Sequence, residues 1–146
     1  ALASAFAGGA FRELEWLNLG TNAIGDAGLA ALSAALEKGA LPNLAKLHLW
    51  HNQIGDEGLK ALMAAAGGGW LGKLEFLNIH SNPFGEDLNV GDEGFDALAE
   101  AIENGSLPSL ESLVVDEEDR VHPLPRLQAA CEQHGVELQS LENNFM

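Results

Sequence analysis

Three histidines, two tryptophans, a phenylalanine and a lone cysteine are the residues of this chain with the most chemistry to offer. His48, His51 and His80, with Asp116 further along, are types that can ligate a divalent cation, and Cys131 is the one thiol. A zinc site built from histidines and thiolates shows characteristic short spacings. None occurs here, so no metal and no cofactor is expected. Nucleophilic catalysis needs a Ser or Cys held beside a base. No Gly-x-Ser-x-Gly turn is present, and Cys131 falls on an apolar helical stripe with Leu127 and Ala130. The sequence therefore predicts a protein that is not an enzyme. What remains is recognition: Trp16, Trp50 and Phe76, with Lys46, Asn78 and the three histidines, are side chains of the kind that anchor one protein on another.

The elements that must position them are legible as a repeat. Leu14, Leu17, Leu19 and Asn22 recur as Leu44, Leu47, Leu49 and Asn52, and again as Leu74, Leu77, Ile79 and Asn82, at a spacing of 30 residues. The alternating apolar residues of each copy face one way on a short strand, so their neighbours face the other. This sets Trp16, Lys46, Phe76 and Ser112 in one outward column, Asn18, His48, Asn78 and Val114 in a second, and Gly20, Trp50, His80 and Asp116 in a third. Asn22, Asn52 and Asn82 stand where the chain leaves the strand, and an amide there can both donate to and accept from backbone groups left unpaired. A ladder of asparagines is expected.

Each copy continues into a helix. Asp26, Asp56 and Asp92, each followed two residues later by glycine, are expected to cap the first turn of their own helices. Leu29, Leu32 and Leu36, then Leu59, Leu62 and Ala66, then Phe95, Leu98 and Ile102 share a face at helical spacing. Gly39 and Gly105, followed by Pro42 and Pro108, mark the return to the next strand. The middle copy has Gly67-Gly68-Gly69-Trp70 there, so its helix end is expected to be the loosest. Trp70 either covers the sheet edge or projects as an anchor. The stretch from Gly85 to Val90 lengthens the third copy by six residues and is either a second contact or a neutral insertion.

The run L-x-x-L-x-L-x-x-N, then I-G-D-x-G, then G-x-L-P-x-L resembles the ribonuclease-inhibitor-like class of leucine-rich repeats, which includes innate-immune sensor domains and Ran GTPase-activating proteins. The resemblance implies an α/β solenoid, a horseshoe arc with a parallel β-sheet on the concave side and α-helices on the convex side, recruiting proteins through the concave surface. On this reading 1–146 is a single domain: 1–13 end a preceding repeat, 14–43, 44–73 and 74–109 are repeats, and 110–146 hold a degenerate repeat and a C-terminal cap. Leu2, Phe6, Gly9, Phe11 and Leu14 fall 30 residues before Leu32, Leu36, Gly39, Leu41 and Leu44, so further repeats are expected to precede residue 1.

Charge narrows the partner. The net formal charge is −15, which opposes binding to a nucleic-acid backbone. Residues 74–146 carry 16 acids against Arg120 and Arg126 alone. Asp116, Glu117, Glu118 and Asp119 are candidates for docking a basic surface, the alternative being that the acids only keep the chain soluble. No apolar run approaches the roughly 20 residues that span a bilayer. The expected function is thus a protein-interaction module using the concave aromatic and histidine face. The alternatives are a non-catalytic subunit of a larger assembly and, by analogy with the family, a GTPase-activating or other regulatory protein. The compartment stays open, cytoplasmic by default and organellar if a targeting segment has been removed.

Overall fold

The computed structural model describes residues 4–5, 8–9, 11–82, 93–116 and 125–141. The six-residue extension at 85–90, Asp92 and the acids Glu117, Glu118 and Asp119 lie outside the described residues. Strands and helices alternate along the chain: β1 (Trp16–Asn18), α1 (Asp26–Leu36), β2 (Lys46–His48), α2 (Asp56–Gly67), β3 (Phe76–Asn78), α3 (Glu93–Glu103), β4 (Ser112–Asp116), α4 (Pro125–His134) and β5 (Glu137–Leu141). The five strands form one sheet in sequence order, every pair parallel. A parallel neighbour needs a crossover, and each crossover here is one of the helices.

Because side chains alternate along a strand, one residue per short strand enters the core. Leu17, Leu47, Leu77 and Leu113 occupy the same register row and are all buried. The helical columns read from the sequence meet them from the other side, with Leu29, Leu32 and Leu36, Leu59, Leu62 and Ala66, and Phe95, Leu98 and Ile102 all buried. Burying each large side chain contributes about 1.5–3 kcal/mol. Leu127, Ala130 and Cys131 on α4 do the same beside β4 and β5.

Hydrogen bonds join the repeats in two directions. Asn52 reaches back: its Oδ1 accepts from the N–H of Asn22 (3.0 Å) and Ile24 (2.9 Å), and its Nδ2 donates to the carbonyl of Leu19 (2.9 Å). Asn82 repeats this one unit on, accepting from Ile54 N–H and donating to the Leu49 carbonyl. The Asn22 side chain, at the first position of the series, bonds only the Gly20 carbonyl among the described residues and is exposed.

The aspartates reach forward, which corrects the expectation that they cap their own helices. Gly25 and Gly55 hold the N-cap positions of α1 and α2, with no side-chain capping bond. Asp26 is instead the first residue of α1, and its Oδ1 accepts from Gly55 N–H (2.6 Å) and Gly58 N–H (2.9 Å) of the next helix. Asp56 does likewise toward Gly94 N–H (3.1 Å). The N-terminal N–H groups of a helix are still satisfied by a carboxylate, but by one from the preceding repeat. Glycine is required at 58, where a Cβ would stand 2.6 Å from Asp26 Oδ1.

The middle helix end is not the loosest. Gly69 adopts φ 88° just as Gly39 adopts φ 78°, and the bonds that close the two helices match: Gly39 N–H to Leu36 O and Ala40 N–H to Ala35 O, against Gly69 N–H to Ala66 O and Trp70 N–H to Ala65 O. A single left-handed glycine suffices to end the helix, and the extra glycines do not disturb it. Trp70, 43% exposed, lies in this return turn with its ring beside Gly39 and Gly68, away from the strand columns.

Candidate functional site

The face of the sheet away from the helices holds the outward columns. Trp16, Lys46, Phe76 and Ser112 form one register row, and Asn18, His48, Asn78 and Val114 the next. The rings touch diagonally across strands. His48 lies between Trp16, at 5.6 Å between centroids, and Phe76, at 5.0 Å, with both pairs tilted. Lys46 places its ammonium 5.5 Å from the centre of the Trp16 ring, a cation–π contact of about 0.5–1 kcal/mol at an exposed site. Trp16 is nevertheless 60% exposed. Burial lowers the His48 pKa below its ordinary 6.5, and the nearby Lys46 charge lowers it further, so the imidazole between the two rings is neutral at pH 7.

Trp50 sits differently from the projecting side chain its column suggests. Its indole lies flat over Gly20, where an added Cβ would come within 2.3 Å of Cε2. The ring also stacks on His80, with centroids 5.9 Å apart and planes 4° from parallel. Trp50 is therefore half-buried, and the glycine one strand away is what makes room for it. His51 is exposed in the turn after β2, at φ 55°, the conformation shared by Thr21 and Ser81 at the matching positions. His80 Nδ1 is 2.9 Å from Ser81 Oγ. Among the described residues no group of three His, Cys, Asp or Glu side chains is arranged to hold a metal.

Two asparagines of the face are held in one orientation, a point sequence reading missed. Asn18 Oδ1 accepts from Gly20 N–H at 2.9 Å, and Asn78 Oδ1 accepts from His80 N–H at 3.2 Å. A backbone N–H can only donate, so the oxygen must face it. Among the described residues each Nδ2 has no partner. The signal was in the sequence, an Asn two residues before a turning backbone N–H, repeated at 18 and 78.

The far end of the face departs from the expected columns. Val114 is buried, between Asn78 of β3 and Gln139 of β5 in register, and does not line the surface. Asp116 ends β4 opposite Leu141. The remaining acidic candidates are outside the described residues.

This geometry, one strand and one helix per turn with an asparagine ladder and a sequentially ordered parallel sheet, defines a leucine-rich-repeat α/β solenoid. Residues 14–33 and 40–63 match the family model described as Leucine Rich repeat. No curated protein matches the chain in sequence. Among solved structures the chain is similar to "Leiomodin-1 Actin-Binding Site 2 (ABS2)", with a TM-score of 0.61 and 13% identity over 90% of this chain and 86% of that one. At that identity the likeness is one of fold.

Proposed function

We propose that this chain is a non-catalytic protein-binding module whose partner docks on the concave, helix-free face of the sheet. Trp16, Lys46, His48 and Phe76 form its centre, and Trp50, His51, Asn78 and His80 its surround. The observation that carries the reading is Trp16, an indole 60% exposed on a sheet face and continuous with two further rings. Contiguous exposed apolar surface of this kind is where partners bind, and tryptophan is prominent among the residues that dominate binding energy. Asp116, Glu117, Glu118 and Asp119 are an acidic run in the sequence and favour a basic surface on the part of a partner that meets them.

The solved relative is titled as an actin-binding site, which makes actin the first protein to test. Co-sedimentation with actin, and affinity capture from native extract, would compare the chain with a Trp16→Ala/Phe76→Ala variant. Loss of a hot-spot aromatic lowers affinity at least about thirtyfold, so a true partner is lost from the variant. Equal retention by a folded variant moves the contact off this face. A second reading, a subunit of a larger assembly, is favoured by the half-buried state of Leu14, Leu19 and Ile24, whose counterparts Leu44, Leu49 and Ile54 are 2% exposed or less. A chain that stays monomeric and binds no hydrophobic dye would remove its support.

A further inference from the structure

We infer that the segment received on the sheet face is acidic, presenting a carboxylate to Asn18, His48 and Asn78 while an adjacent apolar side chain packs on Trp16 and Phe76. The inference rests on the docking face proposed above and specifies the chemistry of its occupant. It begins from a mismatch between the whole molecule and this patch. The chain carries −15 overall, yet among Trp16, Lys46, Phe76, Asn18, His48 and Asn78 of the first three strands the only charged group is Lys46, and the first row meets an acid only at Glu137 of β5. Lys46 forms no ion pair among the described residues and stands over the Trp16 ring.

The hydrogen-bonding groups of the patch agree in sign. Asn18 and Asn78 flank His48 in one register row. Both engage their oxygen with a backbone N–H, and neither NH2 has a partner among the described residues. The patch thus offers the two amide NH2 groups, the three protons of Lys46 and one N–H of a neutral His48, against the other ring nitrogen and the one remaining lone pair of each asparagine oxygen. A lysine or arginine side chain finds fewer acceptors than donors here and meets the Lys46 charge. A carboxylate accepts only, and its bonds to such donors are charge-assisted. The rings on either side supply the apolar floor.

The border of the patch sets the ligand's direction. Glu15, Glu75 and Glu111, all exposed, each immediately precede the first residue of β1, β3 and β4. A carboxylate is repelled from that margin and is carried toward the asparagine row.

A bead-displayed library of random heptapeptides selected on the full chain, and in parallel on Trp16→Ala, tests this. The expected result is enrichment of peptides with Asp or Glu next to a large apolar residue, on the parent chain alone. The best of these should lose at least about tenfold in affinity on Asn18→Asp/Asn78→Asp. That change keeps an oxygen for each backbone N–H and reverses only the outward group, so the fold is preserved. Lys46→Glu should weaken binding similarly. Basic or uncharged peptides that still require Trp16 would overturn the inference and leave the docking face standing. Peptides held equally by Trp16→Ala would overturn both, and an absence of any enriched peptide would overturn the inference.

Discussion

Replacing Asn52 by alanine strips one joint of the solenoid, and the loss can be counted group by group. Asn52 Oδ1 serves the N–H of Asn22 and of Ile24, and neither has another acceptor among the described residues. Its Nδ2 serves three carbonyls, two of which keep a partner: Leu49 O still receives Asn82 Nδ2 at 2.8 Å, and Trp50 O still receives Thr21 N–H at 3.1 Å. Leu19 O alone is stranded. Three backbone groups thus lose their partners, at about 1–3 kcal/mol each if fully buried. The first repeat is half-exposed, so water relieves part of this, and the expected cost is about 2–4 kcal/mol. That is a large share of the roughly 5–15 kcal/mol that stabilises a typical domain. Asn22→Ala is the control, because Asn22 makes one exposed bond to Gly20 O and should cost below about 0.5 kcal/mol. Urea unfolding followed by circular dichroism, with the slope unchanged between variants, reads both. If Asn52→Ala destabilises no more than Asn22→Ala, the asparagine ladder does not hold the repeats together.

Other perturbations read other parts of the molecule. Gly20→Ala would push a methyl into the Trp50 indole, costing about 1–3 kcal/mol and shifting the near-ultraviolet dichroism of that ring in a Trp16→Phe/Trp70→Phe background; an unchanged band would mean Trp50 does not lie over Gly20. His48 should titrate below 6.5 by nuclear magnetic resonance. Because the unfolded chain then binds the proton first, His48 contributes a loss of stability as pH falls from about 6.5 to the folded pKa, and none below it. Lys46→Met should raise the midpoint only part of the way, since burial is the larger cause. Burial also pushes the Cys131 thiol up to about 11, so a disulfide reagent at pH 8 should modify it only through unfolding, at least about a thousandfold slower than a free thiol; rapid modification of the native chain would place α4 away from the core.

The parts of the fold that repeat within one unit were readable in one dimension. Leu17, Leu47 and Leu77 announce the strands by alternation, and Leu29, Leu32 and Leu36 announce the helix by its period, because burial selects both locally. What joins units was not readable in the same way. Asp26 lies beside the start of its own helix in sequence, so an N-cap is the natural expectation; only the stacking shows that the start of α2 is nearer its carboxylate. The site divides along the same line. Alternation placed Trp16, Lys46 and Phe76 in one row. It could not show that Trp50 lies down, since that depends on Gly20 one strand away, nor which end of Asn18 faces out, since that depends on a backbone donor.

The two junctions between the first three units have the same two halves, an asparagine looking back and an aspartate looking forward, and both meet main-chain groups. Main chain is common to all residues, so a unit can be duplicated, deleted or exchanged in the gene without co-ordinated change in its neighbours' side chains, apart from the glycine that admits the aspartate. The third unit already illustrates such tolerance: it is six residues longer than the others, and Asp56 still finds Gly94. Selection is thereby left free to rewrite the outward columns, unit by unit, while the coupling between units goes on unchanged.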